Sequence, residues 1–395
     1  MMMSKITKSA LLTLLLIGAG EVVACGWNLT NDPAQMEKIL GEGSLVYDIH
    51  KLPKEGHLSK KPWADTYWPT RLHGINWRWQ GEVEYKGKNA LGFNSVNEEF
   101  SLKDLKQMSK TDISHLSPAE KLDVYNCDYK HWSNYNKESK RTRMAFFAPS
   151  WTGICHGWAP AAIRYDEPQP ITVCNRDGIE IPFGSSDIKA LLSKWETEHS
   201  GDACQVGGRS GRSVRESDLK ESKDTSPNDV NAGAFHVVLT NMIGRMDKGF
   251  VMDRDPGSQV WNQPIEGYKI VSVKEQAPTR KLSSKKTAKE LVIENDVTYT
   301  SELMDEDMHA DPQVAAQNEP KGAAENPIIR KHVVYKYVLE LDADSKIIGG
   351  RWLKIEHPDF IWLSAGEDFG EEGKSIKELY EMSTGKRAVP TKSRK

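Results

Sequence analysis

The sequence predicts an α+β protein in which a cysteine-bearing helix faces an antiparallel sheet that carries a histidine and an aspartate. Three patterns predict it. A small-residue turn at 149–153 leads into Cys155 and a helix-compatible stretch through Ile163. The run 234–242 (AFHVVLTNM) is apolar on both faces, as a central strand is, and 249–254 resumes after a glycine-bounded turn, so the two read as a hairpin. Residues 332–342 alternate, with Val333, Tyr335, Tyr337, Leu339 and Leu341 on one face; 342–346 turn and 347–355 return as a second hairpin.

The remaining segments follow in order. Lys5 and Lys8 precede the apolar run 10–19 (ALLTLLLIGA), the layout of a secretory signal peptide cleaved after Gly20 or Ala24. Val22-Val23-Ala24-Cys25 also has the form of a bacterial lipobox, which would make Cys25 a lipid anchor. Residues 25–140 are polar with aromatic islands, Trp63 to Pro69 and Ile75 to Trp79, that read as packing surface rather than a ligand groove. Ser117, Pro118 and Glu120 mark a helix start: a cap, a first-turn proline and the far side of a capping box. Residues 207–229 are glycine- and serine-rich and read as a surface loop. The chain thus divides into a signal peptide (1–24), an aromatic-rich region (25–140), a core (141–300), an acidic loop or linker (301–330) and a C-terminal hairpin region packed on the core (331–395).

Composition narrows the function. A formal charge of −3 over 395 residues lacks the basic excess that nucleic-acid binding needs. A mean hydropathy of −0.59 and no second long apolar run argue against an integral membrane protein, leaving a secreted, periplasmic or envelope protein. The 12 Trp, 12 Tyr and 9 Phe call for aromatic clusters. Of the five cysteines, Cys174 and Cys204 flank polar turns and are expected to pair, which leaves Cys25 and Cys127 as a second pair and Cys155 as a free thiol.

That free thiol carries the chemistry. A cysteine at a helix N-terminus lies near the positive end of the dipole and near unpaired N–H groups, which favour thiolate and can hold an oxyanion. Pro160 fits such a helix if it begins near Gly157 or Ala159. His236, 81 residues downstream of Cys155, is the expected base. Asp253, on the next presumed strand, would orient it; Asp255 is the rival. His156 is a decoy, since adjacent helical residues point about 100° apart. Trp151 and Trp158 either wall an amine tunnel, support the oxyanion hole or pack. No zinc motif occurs, and 342–346 reads as a turn rather than a calcium loop.

Cys, then His on a strand, then Asp on the next is the chain order of the papain-like transglutaminase core. The segment Val260-Trp261-Asn262-Gln263-Pro264-Ile265-Glu266-Gly267-Tyr268-Lys269 resembles the surface peptide of the Phytophthora cell-wall elicitor transglutaminases. The 63–79 island, 151–160 and the stretches at 337–342, 349–352 and 357–360 resemble that family too. The resemblance implies catalytic roles for Cys155, His236 and Asp253, and elicitor recognition at Trp261 and Pro264. Ile265-Glu266 departs from the oomycete peptide, which has a basic residue there, and the lipobox-like segment points to a bacterial relative. The implied activity is acyl transfer from a glutamine side chain to a lysine amine, or to water. The implied partners are proteins with accessible Gln and Lys. A calcium requirement is a family trait without assignable ligands here. The rival functions are a cysteine peptidase or amidase with the same triad, and a noncatalytic surface or adhesion protein on this scaffold.

Overall fold

A computed structural model of the chain describes residues 28–79, 100–144, 147–209, 228–254, 257–303 and 329–390. The expected signal peptide, Cys25, Asp255 and nearly all of the acidic 301–330 segment lie outside the described residues.

Among the described residues the ten strands are β1 (Glu55–His57), β2 (Ile171–Cys174), β3 (Glu180–Phe183), β4 (Ala203–Gly207), β5 (Val251–Asp253), β6 (Asn262–Gln276), β7 (Lys289–Thr300), β8 (Arg330–Leu341), β9 (Ile347–Trp352) and β10 (Phe360–Ser364). Seven run in the order β4-β10-β5-β6-β7-β8-β9, with β1 added against β6; β2 and β3 pair separately. Every pairing between these strands is antiparallel. The alternation at 332–342 becomes β8, and the predicted return becomes β9, with Tyr337 opposite Trp352.

Four helices position the site: α1 (Pro118–Tyr125), α2 (Cys155–Arg164), α3 (Ser185–Glu198) and α4 (Ala232–Met246). The capping box predicted for α1 forms, with the Ser117 side chain accepting from the Glu120 N–H. Glu120 also pairs with Arg78, and Lys121 with Asp187 of α3 at 2.6 Å; all four side chains are buried. These pairs fix α1 between the aromatic region and α3, and deleting one partner would strand a buried charge.

One expectation fails in this region. Residues 234–242 are not a strand: they lie inside α4, capped by Asn231, whose side chain accepts from the Gly233 N–H at 2.9 Å. A run that is apolar all round looks the same in a buried helix and in a central strand, so periodicity does not separate them. The expected hairpin is a helix followed by the short strand β5.

The sheet separates two cores. On one face α2 and α3 pack with Trp63, Tyr67, Trp68 and Trp79. On the other, α4 packs against Tyr268, Tyr335, Tyr337 and Ile347. Alternation along β5 divides its side chains between them: Val251 joins the first core and Met252 the second.

Candidate active site

Cys155 is the first residue of α2. The loop before it is clamped to the aromatic region: Ile154 N–H donates to the Tyr67 carbonyl, Thr70 N–H to Thr152, and Tyr67 Oη to the Ser150 carbonyl, each at 2.8 Å. A methyl at Gly153 would overlap the Tyr67 carbonyl, so this close approach needs glycine. Pro160 falls inside α2, which begins earlier than its position suggested. Its missing N–H forgoes one helical bond, a defect tolerated where the helix is wedged against α3.

The thiol is 6% exposed and looks onto the strands. Cys155 Sγ lies 3.7 Å from the Val260 carbonyl, and Asn262 Nδ2 donates to it at 3.4 Å. Asn262 Oδ1 accepts from Trp362 Nε1 at 2.7 Å. Asp253 stands opposite Asn262 in the β5–β6 register, and its Oδ1 accepts from the Trp261 N–H at 2.8 Å. Burial pushes the thiol above its ordinary range, Asn262 pulls it back, and the charges of Glu302 and Asp253 push it up further. Tyr67 meets Trp261 edge-on at 5.3 Å, and the Arg209 guanidinium lies over Trp151 at 5.6 Å, so aromatic rings frame the approach.

Of the expected triad, Asp253 lies in register with Asn262, the donor to Cys155, and its charge acts on the thiol, whereas His236 does not join them. His236 is fully buried in α4, and its Nδ1 is 2.8 Å from Tyr337 Oη on the opposite face of the sheet. Burial there lowers its pKa to about 3, so it is a neutral core group at physiological pH. His156 is exposed on α2 and makes no contact with the thiol.

Other expectations sort by burial. Trp158 is fully buried in the first core and acts as packing; Trp151 is half-buried beside the site. The segment of Trp261 and Pro264 is not a surface peptide in this chain. It begins β6, an interior strand between β5 and β7; Pro264 is buried and Trp261 half-buried. The expected Cys174–Cys204 disulfide is overturned, because both are free thiols; the Cys25–Cys127 pair falls partly outside the described residues. Cys204 lies on β4, 3.5 Å from Met36 Sδ in the second core, while Cys174 ends β2. Among the described residues no group of three or more His, Cys, Asp or Glu side chains converges on a metal position.

Asn262, Trp362 and Glu302 escaped the sequence reading. Asn262 sits inside the family-like segment, but nothing in its spacing from Cys155 marks it as a partner. Trp362 is one tryptophan among twelve.

A buried thiol opens a helix against an antiparallel sheet, with an amide donating to it, in an α+β fold. A family model described as transglutaminase elicitor matches residues 32–372, and the chain belongs to that family. The crystal structure of the GP42 transglutaminase from Phytophthora sojae superposes with a TM-score of 0.64 at 21% identity, covering 91% of this chain and 99% of that one. This likeness shows a shared fold. Among curated proteins none matches the chain. Among the described residues no helix is long and apolar enough to cross a membrane.

Proposed function

We propose that the protein is a protein-glutamine γ-glutamyltransferase with Cys155 as its nucleophile. The observation that carries the reading is the Cys155 thiol at the start of α2 with the Asn262 amide 3.4 Å from Sγ. The thiolate attacks the side-chain carbonyl carbon of a glutamine, forming a C–S bond and moving charge onto the oxygen. The N–H groups at the start of α2 stabilise that oxyanion. The C–N bond then breaks, and the nitrogen takes a proton and leaves as ammonia. In our reading Asp253 accepts the thiol proton and returns it to the leaving nitrogen, because it faces Asn262 across β5–β6. A lysine amine attacks the thioester and loses a proton to Asp253, the C–S bond breaks, the sulfur takes that proton, and an isopeptide and the free thiol remain. Water in place of the amine gives deamidation.

The substrates in this reading are proteins with accessible glutamine and lysine. The basic, then apolar N-terminus supports export, which the N-terminal mass of the mature chain would check. The activity test is incorporation of a fluorescent primary amine into a glutamine-rich protein, with calcium or with chelator. Wild type should label, and Cys155→Ala should lose at least about a thousandfold. Crosslinking that survives in Cys155→Ala refutes the reading. Cys155-dependent ammonia or peptide release without amine incorporation would make the protein a hydrolase.

A further inference from the structure

The Asn262 carboxamide has two ends of nearly equal size and opposite hydrogen-bonding character. Which end faces Cys155 decides whether the thiolate meets a donor or a lone pair. Trp362 makes that choice. It lies on β10 opposite Val251 of β5, which directs its ring to the face that carries α2. An indole N–H donates and cannot accept, so the Asn262 atom 2.7 Å from Trp362 Nε1 must be Oδ1. That leaves Nδ2 at 3.4 Å from the Cys155 sulfur. Asn262 is 3% exposed, so water does not compete for either end.

This donor is the largest of the influences that favour the thiolate. The Asn262 backbone N–H adds a smaller stabilisation of the thiolate, whereas the Val260 carbonyl is an acceptor that favours the protonated form. The negative charges of Asp253 and Glu302 also oppose the thiolate. We infer that Trp362 is a positioning residue: its N–H holds the Asn262 amide in the one orientation that donates to the Cys155 thiolate. The inference rests on Cys155 as the nucleophile, and its test does not need transferase turnover.

The test is the rate of iodoacetamide alkylation of Cys155 against pH, followed by peptide-resolved mass spectrometry because other thiols are present. Asn262→Ala should move the midpoint up by about one pH unit and slow alkylation about tenfold at pH 7.5. Trp362→Phe keeps an aromatic ring but loses the donor, and should slow alkylation roughly three- to tenfold. The double variant should be no slower than Asn262→Ala alone. A Trp362→Phe profile that overlies wild type overturns the inference. So does a Trp362→Phe slowing that persists undiminished in the Asn262→Ala background, since that would be a packing effect. Should Trp362→Phe fail to fold by circular dichroism, an unshifted Asn262→Ala profile still refutes it. If instead the transferase reading is wrong, amine incorporation is absent in wild type while the alkylation profiles still move.

Discussion

His236→Asn separates a core histidine from a catalytic one. In the wild type His236 Nδ1 sits 2.8 Å from Tyr337 Oη, with both side chains fully buried and the sheet between them and Cys155. Asparagine can restore part of that bond but leaves space where the ring was. Loss of a buried bond plus a small void costs about 1–3 kcal/mol, read by urea unfolding at pH 7.5. The pH dependence adds a second signature. The folded-state pKa is lowered from 6.5 to about 3, so below pH 6.5 the unfolded chain binds a proton that the native chain refuses. Stability therefore falls as pH drops from 6.5 toward 3, at up to about 1.4 kcal/mol per pH unit for this one group. His357, also buried and lowered to about 4, adds a parallel slope. His236→Asn should remove its own share, so the gap between variant and wild type should narrow on acidification from pH 6.5 to 4.5. Alkylation of Cys155 and amine incorporation at pH 7.5 should stay within about twofold of wild type wherever the variant is folded, because His236 makes no contact with the thiol. A folded His236→Asn protein that lost amine incorporation by more than about tenfold, with unchanged stability, would refute this reasoning and return His236 to the chemistry.

Two further outcomes follow from packing and from the cysteines. Gly157 lies two residues after Cys155, and a methyl there would overlap Ser193 O and Thr197 Oγ1 of α3; Gly157→Ala should cost about 1–3 kcal/mol by forcing α2 away from α3, and should lower amine incorporation with it. Because Cys174 and Cys204 are free thiols on different sheets, Cys174→Ser and Cys204→Ser should each leave the sensitivity of the melting temperature to dithiothreitol unchanged, and a variant that abolished a fall of several degrees under reduction would show a structural disulfide.

Much of the local structure was legible in the residues themselves. The α1 cap was readable because Ser117, Pro118 and Glu120 act on one another within a single turn. Cys155 at a helix start was readable for the same reason, and the β8–β9 hairpin announced itself through strict alternation and a polar turn. Each of these signals is complete within a few neighbouring residues.

The partners of the thiol were not legible, and neither was the face of the sheet on which each side chain falls. A uniformly apolar run carries no period, so residues 234–242 gave no hint that they belong to α4, or that His236 would turn toward Tyr337. Nothing in the composition shows that the Trp261 segment would lead into the buried first half of the interior strand β6 rather than form a surface peptide. Cysteine parity likewise invited a Cys174–Cys204 bridge, although β2 and β4 belong to different sheets. The family resemblance singled out Asp253, but Asn262 and Trp362 reach the thiol only through strand order. β5 lies between β10 and β6, and its register sets Asp253 opposite both Asn262 and Phe360. A strand's two faces are chemically equivalent until its neighbours pair with it. Residue type therefore determined the candidate thiol and the local elements, while long-range pairing determined what that thiol meets.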